Sequence, residues 1–468
     1  MKNIRNTSYW LISLMFITLF SCNNDDDNLL FSESPAERIS QSTSELVNLL
    51  VEQQNGYKGV YFTKNDEFGG FTFYMKFNAD GTVTMTSDFD SETDLFTSSY
   101  DVRLGTATEL VFTTRNHIQK VSDPEYGGLR GAGFKGTSVF QFFKNENGTL
   151  TFKDVRNSST ASFILEPTGF SDFETESVAK AKESLAQRDN LLPTAQTSVF
   201  QVLRFENENG IQNYNLNYDS LRLYATPRTQ NDTGEVSELN FGVAFSDTGL
   251  TINPAITFEG ETYEDFVFDY PTNSYVSTVN GTTATILFSN TPVFLTDDVN
   301  GLGKTGHQVF GSRLSFGVNS LTSPGFDALI STVNQNIKGI SANANAYWSY
   351  SGIEFYVVPN ATTGYVTLYV MVYSSGPTST ATYYAGYNFR QTIENNKVYY
   401  TYVGAANGNG SYFLNAVTPL LQFFLSPDGM YFTDQGSFSS SLFSYSNLSS
   451  TFTSASQPNL RLYGLWFN

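Results

Sequence analysis

The sequence predicts a mainly β protein with a few packed helices, an α+β chain of antiparallel sheets or barrel-like units, each preceded by a helix. Three observations carry this. Aromatic residues reach 15% and charged residues only 15%, against about 25% charged in an average soluble chain. Apolar and polar residues alternate in several stretches, the period of a half-buried strand. Helical patterns are few, and each stands ahead of a strand-rich block.

The first helix is "SPAERISQSTSELVNLL", with Ser34 as N-cap, Pro35 at the first helical position and Glu37 completing a capping box. Ile39, Leu46, Val47, Leu49 and Leu50 give it an apolar face, and Asn55-Gly56 ends it. In "FTFYMKF", Phe71, Phe73, Met75 and Phe77 alternate with Thr72, Tyr74 and Lys76. "NADG" turns the chain, and Val83 and Met85 resume the alternation, which makes a hairpin.

A second helix is predicted at "ETESVAKAKESLAQR", about residues 174–188. The hairpin device returns after it: Phe73/Phe77/Gly81 and Phe241/Phe245/Gly249 both fit F-x3-F-x3-G, with Gly249 closing the second turn. "SPGFDALISTVNQNI" is a third helix. A looser hairpin follows, with Ile353, Phe355 and Val357 before Gly364 and Val366, Leu368 and Val370 after it. "NAVTPLLQFFL" predicts a short fourth helix, in which Pro419 belongs to the first turn or a kink.

The chain therefore divides into a leader (1–21), an acidic tether (22–33) and three helix-plus-β units at 34–170, 171–305 and 306–468. Duplication and the common grammar of hairpins both account for the likeness between units.

The leader carries an address. Lys2 and Arg5 precede an apolar run from Tyr9 to Phe20, about 18 Å as a helix against a bilayer core of about 30 Å, so a signal peptide fits better than a membrane span. Leu19-Phe20-Ser21 before Cys22, the single cysteine, resembles a bacterial lipobox. That resemblance implies acylation of Cys22 and cleavage after Ser21, with the body held to the membrane by its lipid chains. Asn23-Asn24-Asp25-Asp26-Asp27 reads as a solvated tether, and it also resembles the export signal that sends Bacteroidota lipoproteins to the outer face of the outer membrane. With one cysteine no disulfide forms within the chain, so the fold stands on packing alone.

Charge narrows the partners. The chain has 26 basic and 45 acidic residues, net −19, and loss of the leader removes only the bases Lys2 and Arg5. Phosphate binding needs clustered Lys and Arg, so nucleic acid is excluded as a partner class.

Residues for catalysis are scarce. His117 and His307 are the two histidines, and neither HExxH nor G-x-S-x-G is present. Each histidine is expected as a loop or half-buried structural residue, and no metal or cofactor is expected. "GLGKTG" at 301–306 is not a phosphate loop, because Asp298 stands where the first glycine is needed. The tetrapeptides "NADG", "NENG" and "SPDG" read as tight turns. Glu259, Glu261, Glu264, Asp265 and Asp269 offer carboxylates for a hydrolase, but nothing singles out a pair. "NAYWSYSG" sets Tyr347, Trp348 and Tyr350 in a loop-rich setting, where rings can stack on sugar faces.

The order of "AERISQSTSELVNLL", "NGYKGVYF", the F-x-F-x-x-x-G-x-V hairpin, "SSYDVRLGTATELVFTT" and "NHIQKVSDP" resembles the Bacteroidota lipoproteins grouped as domain of unknown function 4302. The resemblance is clearest over 34–143. It departs after "GGLRGAGF", where this chain has Gly136-Thr137-Ser138-Val139-Phe140. It implies an envelope lipoprotein working beside outer-membrane nutrient-uptake machinery, and it implies no catalytic residue. The expectation is a surface-exposed, non-catalytic accessory protein that captures a glycan or peptide nutrient through an aromatic-lined concavity. The alternatives are a carboxylate-dependent extracellular hydrolase and a structural or adhesive module.

Overall fold

Strand alternation resolves into three antiparallel sheets, two of them closed into barrels. The computed structural model describes residues 35–125, 129, 131, 133–317, 321–340, 347–375 and 380–467. The leader, Cys22 and the tether lie outside the described residues.

The first barrel runs through eight strands in sequence order, from Tyr57–Phe62 to Ser162–Pro167. Its first strand closes the ring: Tyr57 faces Met75 on one side and Pro167 on the other. Closure leaves no unpaired edge. Phe73, Met75, Phe77, Val83 and Met85 are buried in its core, as their alternation requires, and helix Pro35–Glu52 adds Leu46 and Leu50 to the same cluster. The opposite face of strand Gly70–Phe77 is not solvated either. Thr72 and Tyr74 are buried there, Tyr74 against Phe173 and Ala181 of helix Phe173–Gln187.

That helix joins the first barrel to an open sheet of eleven strands. The sheet does not follow sequence order: Phe200–Asn207 lies between Gly210–Asn215 and Thr282–Ser289. The Gly69 N–H donates to the Arg222 carbonyl at 2.8 Å, and the Thr72 hydroxyl donates to the Phe245 carbonyl at 2.6 Å. Barrel and sheet share one continuous apolar core. At the joint, Asp88 is fully buried. Its carboxylate accepts from the Thr72 N–H at 2.8 Å and the Ser184 hydroxyl at 2.7 Å, and lies 3.4 Å from the Arg188 guanidinium.

The C-terminal barrel has a separate core. Val309 faces Tyr356 on one side and Phe467 on the other, closing the ring. Helices Pro324–Ile340 and Gly408–Phe424 pack together through Phe326 and Phe423, 4.9 Å between centroids, and Phe424 meets Phe355 at 5.2 Å. Strands Lys397–Ala405 and Met430–Ser439 meet at a single register pair, Val398 with Met430, and the helix Gly408–Phe424 connects them in sequence. Asn459 Nδ2 and Arg461 tie this barrel to the Ala195 and Val199 carbonyls of the preceding segment, at 2.8 and 3.0 Å.

The fourth helix is longer than its sequence predicts. It starts at Gly408, where the Asn407 side chain caps it by accepting from the Gly410 N–H at 2.7 Å, and Pro419 sits inside it. Proline there has no N–H to offer the Asn415 carbonyl. Burial of Phe413, Val417, Leu420, Leu421 and Phe424 on one face outweighs that loss. The two glycines of the repeated hairpin also differ. Gly81 takes φ +81° in the turn, as predicted, whereas Gly249 begins strand Gly249–Phe258, and a Cβ there would meet the Phe266 carbonyl at 1.9 Å.

Candidate functional site

Strands Tyr347–Tyr356, Val366–Ser375 and Thr380–Glu394 form one wall of the C-terminal barrel. Their register aligns Glu354 with Tyr369 and Gly386, and Tyr356 with Thr367 and Asn388. Ile353, Phe355, Leu368, Val370, Ala385 and Tyr387 are buried in the core. Side chains alternate across a pleated sheet, so Glu354, Tyr356, Thr367 and Tyr369 face outward.

On this outer face three tyrosines gather. Tyr369 stands between Tyr356 and Tyr384, with centroids 5.5 and 6.3 Å away and interplanar angles of 82° and 80°. Tyr356 and Tyr384 are each 42% exposed. Tyr365 and Asn360 complete the rim of a groove of about 480 Å³, within the size range of small-ligand pockets. Arg390 lies over the Tyr365 ring, 6.0 Å from its centroid.

Electrostatics bind the groove together. Glu354 is an ion-pair partner of Arg313. Burial raises the Tyr356 phenol above its ordinary range, and the neighbouring Glu354 charge adds to that, so Tyr356 stays a neutral hydroxyl. Glu354 is the one carboxylate on the groove among the described residues, whereas two-carboxylate hydrolysis needs a facing pair. The arrangement offers ring faces, phenolic hydroxyls and one neutralised carboxylate, which suits a hydroxyl-rich ligand.

Tyr347, Trp348 and Tyr350 stand in a strand, not in a loop. Tyr347 is 78% exposed. Trp348 is half-buried between Tyr412 and Phe413, at 5.5 and 5.2 Å. Tyr350 is 5% exposed, and its N–H donates to Asn334 Oδ1 at 2.9 Å. Tyr347 and Trp348 thus remain at the surface, roughly 30 Å along the strand from Tyr356. Sequence reasoning missed the groove because its rings come from three strands. The available signal was "VTLYVMVY", where Tyr369 fills a position that alternation reserves for polar side chains.

Both histidines are buried, deeper than the half-buried setting expected of them. His117 belongs to a four-residue helix capped by Asn116, which the sequence did not predict, and is buried. Its Nε2 is 2.8 Å from the Asp94 carbonyl and its Nδ1 is 3.1 Å from the Ser87 hydroxyl. Ser87 is itself fully buried, out of reach of substrate. His307 Nε2 is 3.0 Å from Asp434 Oδ1, which also accepts from the Ser450 hydroxyl at 2.7 Å. Among the described residues, no group of three or more His, Cys, Asp or Glu is placed to hold a metal ion. None of their helices is long and apolar enough to cross a membrane.

The acid-rich stretch 259–269 spreads its carboxylates along one hairpin. Asp265 accepts from the Thr251 hydroxyl at 2.6 Å, Glu259 accepts from Asn207 Nδ2 at 2.7 Å, and burial raises the Glu264 carboxyl. In "GLGKTG", the Gly303 N–H donates to the His307 carbonyl and the Lys304 N–H to the Gly301 carbonyl, a pair of turns without a following helix.

The family model described as Domain of unknown function (DUF4302) matches residues 26–270, more than half of the chain. No curated protein matches. A solved structure titled "The Structure of Intact Ap-TbpB (N and C lobes)" aligns at 11% identity over 87% of this chain and 75% of that one, with a TM-score of 0.13. A superposition that low carries no argument.

Proposed function

The chain belongs to the DUF4302 family, and on that premise we propose that it is a lipid-anchored protein of the bacterial outer-membrane exterior that captures a nutrient glycan without transforming it. The observation that carries the capture role is the groove of Tyr356, Tyr369 and Tyr384. Aromatic rings present apolar faces with a polar tip, which suits a ligand that alternates C–H faces and hydroxyls. The anchor rests on Cys22 behind its apolar leader, and the acidic tether gives the body reach from the bilayer. Delivery to an uptake complex in the same membrane is the role such a holder would serve. Tyr347 and Trp348 supply a second aromatic contact further along the strand.

Affinity electrophoresis in gels containing a panel of neutral polysaccharides tests this. The wild-type chain is retarded by at least one of them. The Tyr356→Ala/Tyr384→Ala double variant loses that retardation, and Tyr347→Ala keeps most of it. Unchanged retardation of the double variant removes the groove from the binding site, and conversion of the polysaccharide to shorter products replaces capture by hydrolysis.

A further inference from the structure

A second concavity lies where the first barrel meets the open sheet. Leu185, Leu192 and Leu223 line a cleft of about 570 Å³ there, and junctions of this kind are favoured places for ligands. Tyr218 lines the same cleft. It is only 5% exposed, and its hydroxyl has no hydrogen-bond partner among the described residues. That hydroxyl is therefore free to donate to an acceptor entering the cleft.

The charges on the cleft follow a pattern. Lys182 and Asp189 both line it, while Arg188 is neutralised by Asp88. Lys180 takes up Glu183 and Asp247. Lys182 and Asp189 are left without an ion-pair partner among the described residues. Seven residues apart, they share one side of the helical segment, about 10 Å from one another along its axis. One cation and one anion thus stand at either end of an apolar wall.

A ligand that fits has opposite charges at its two ends and apolar groups between them. An extended chain spans at most about 3.6 Å per residue, so three residues cover about 10 Å. We infer that this cleft holds a short apolar peptide of about three residues, its carboxylate at Lys182, its ammonium at Asp189 and a peptide carbonyl accepting from Tyr218. The site is separate from the tyrosine groove, and neither reading depends on the other.

Isothermal titration of the whole chain with Leu-Ala-Leu tests the inference, with Leu-Ala-Leu-amide as the control lacking the terminal negative charge. The free acid binds, and amidation weakens it at least tenfold. Lys182→Gln, an exposed position, weakens the acid by the same factor and makes acid and amide equivalent. Tyr218→Phe weakens both peptides without lowering the melting temperature. Leu185→Trp fills the cleft and abolishes binding. Absence of binding to the wild type, equal affinity for acid and amide, or full affinity in Leu185→Trp would each overturn it.

Discussion

The ring of Tyr369 lies over Gly386: a Cβ built on Gly386 would come within 3.0 Å of Tyr369 Cε1 and of Ala406 Cβ. The absence of a side chain at Gly386 therefore sets where the central ring of the groove rests. Gly386→Val pushes that ring toward Tyr356 and crowds Ala406, at a cost of about 1–3 kcal/mol in stability. Its expected signature is at least a fivefold loss of polysaccharide retardation with a modest drop in melting temperature. Retardation equal to wild type would show that the ring position is irrelevant to binding.

Asp88 gives the joint between barrel and sheet a pH dependence. Burial raises its carboxyl above the ordinary range, more than Arg188, Ser184 and Thr72 lower it. A raised folded-state value means the native state takes up a proton before the unfolded state does, so stability from this group grows as pH falls through that value. The gain is complete below the unfolded value near 3.8, and each unit of separation is worth about 1.4 kcal/mol. Urea unfolding of wild type and Asp88→Asn at a series of pH values between 7 and 4 reads this difference directly, because other groups cancel. The wild type is expected to gain on the variant as the solution is acidified. A wild type that loses ground instead would mean that the Arg188 pairing outweighs burial.

Cys22 carries the proposed anchor. Intact mass measurement of the mature wild-type chain is expected to show residues 22–468 plus acyl chains. Cys22→Ser is expected to retain residues 1–21, to lack the added mass and to leave the outer-membrane fraction. A serine variant with the fractionation and processing of wild type would end the lipid reading.

Much of the fold was legible because strand alternation is local. Phe71 to Phe77 and Phe241 to Phe245 were read from period two alone, and the helix at 173–187 from its own pattern. Barrel-like units were among the expectations, but which strands close each ring was not legible, since pairing Tyr57 with Pro167 spans the whole unit and leaves no trace in any short window. The start of the last helix was hidden for a different reason. Gly408, Asn409 and Gly410 have poor helical propensity, and only the Asn407 cap and the buried face downstream make them helical. The cluster around Tyr347 was visible because its rings are neighbours in sequence. The groove was not, because register across three strands assembles it.

The seam between Lys397–Ala405 and Met430–Ser439 has a mechanical consequence. A cylinder of hydrogen-bonded staves parts where it has fewest rungs, and here one rung joins two staves. Strain applied to the C-terminal barrel, by a tugging ligand or by thermal agitation, therefore concentrates on that line, and the barrel behaves as a rolled sheet with a latch rather than as a uniform hoop.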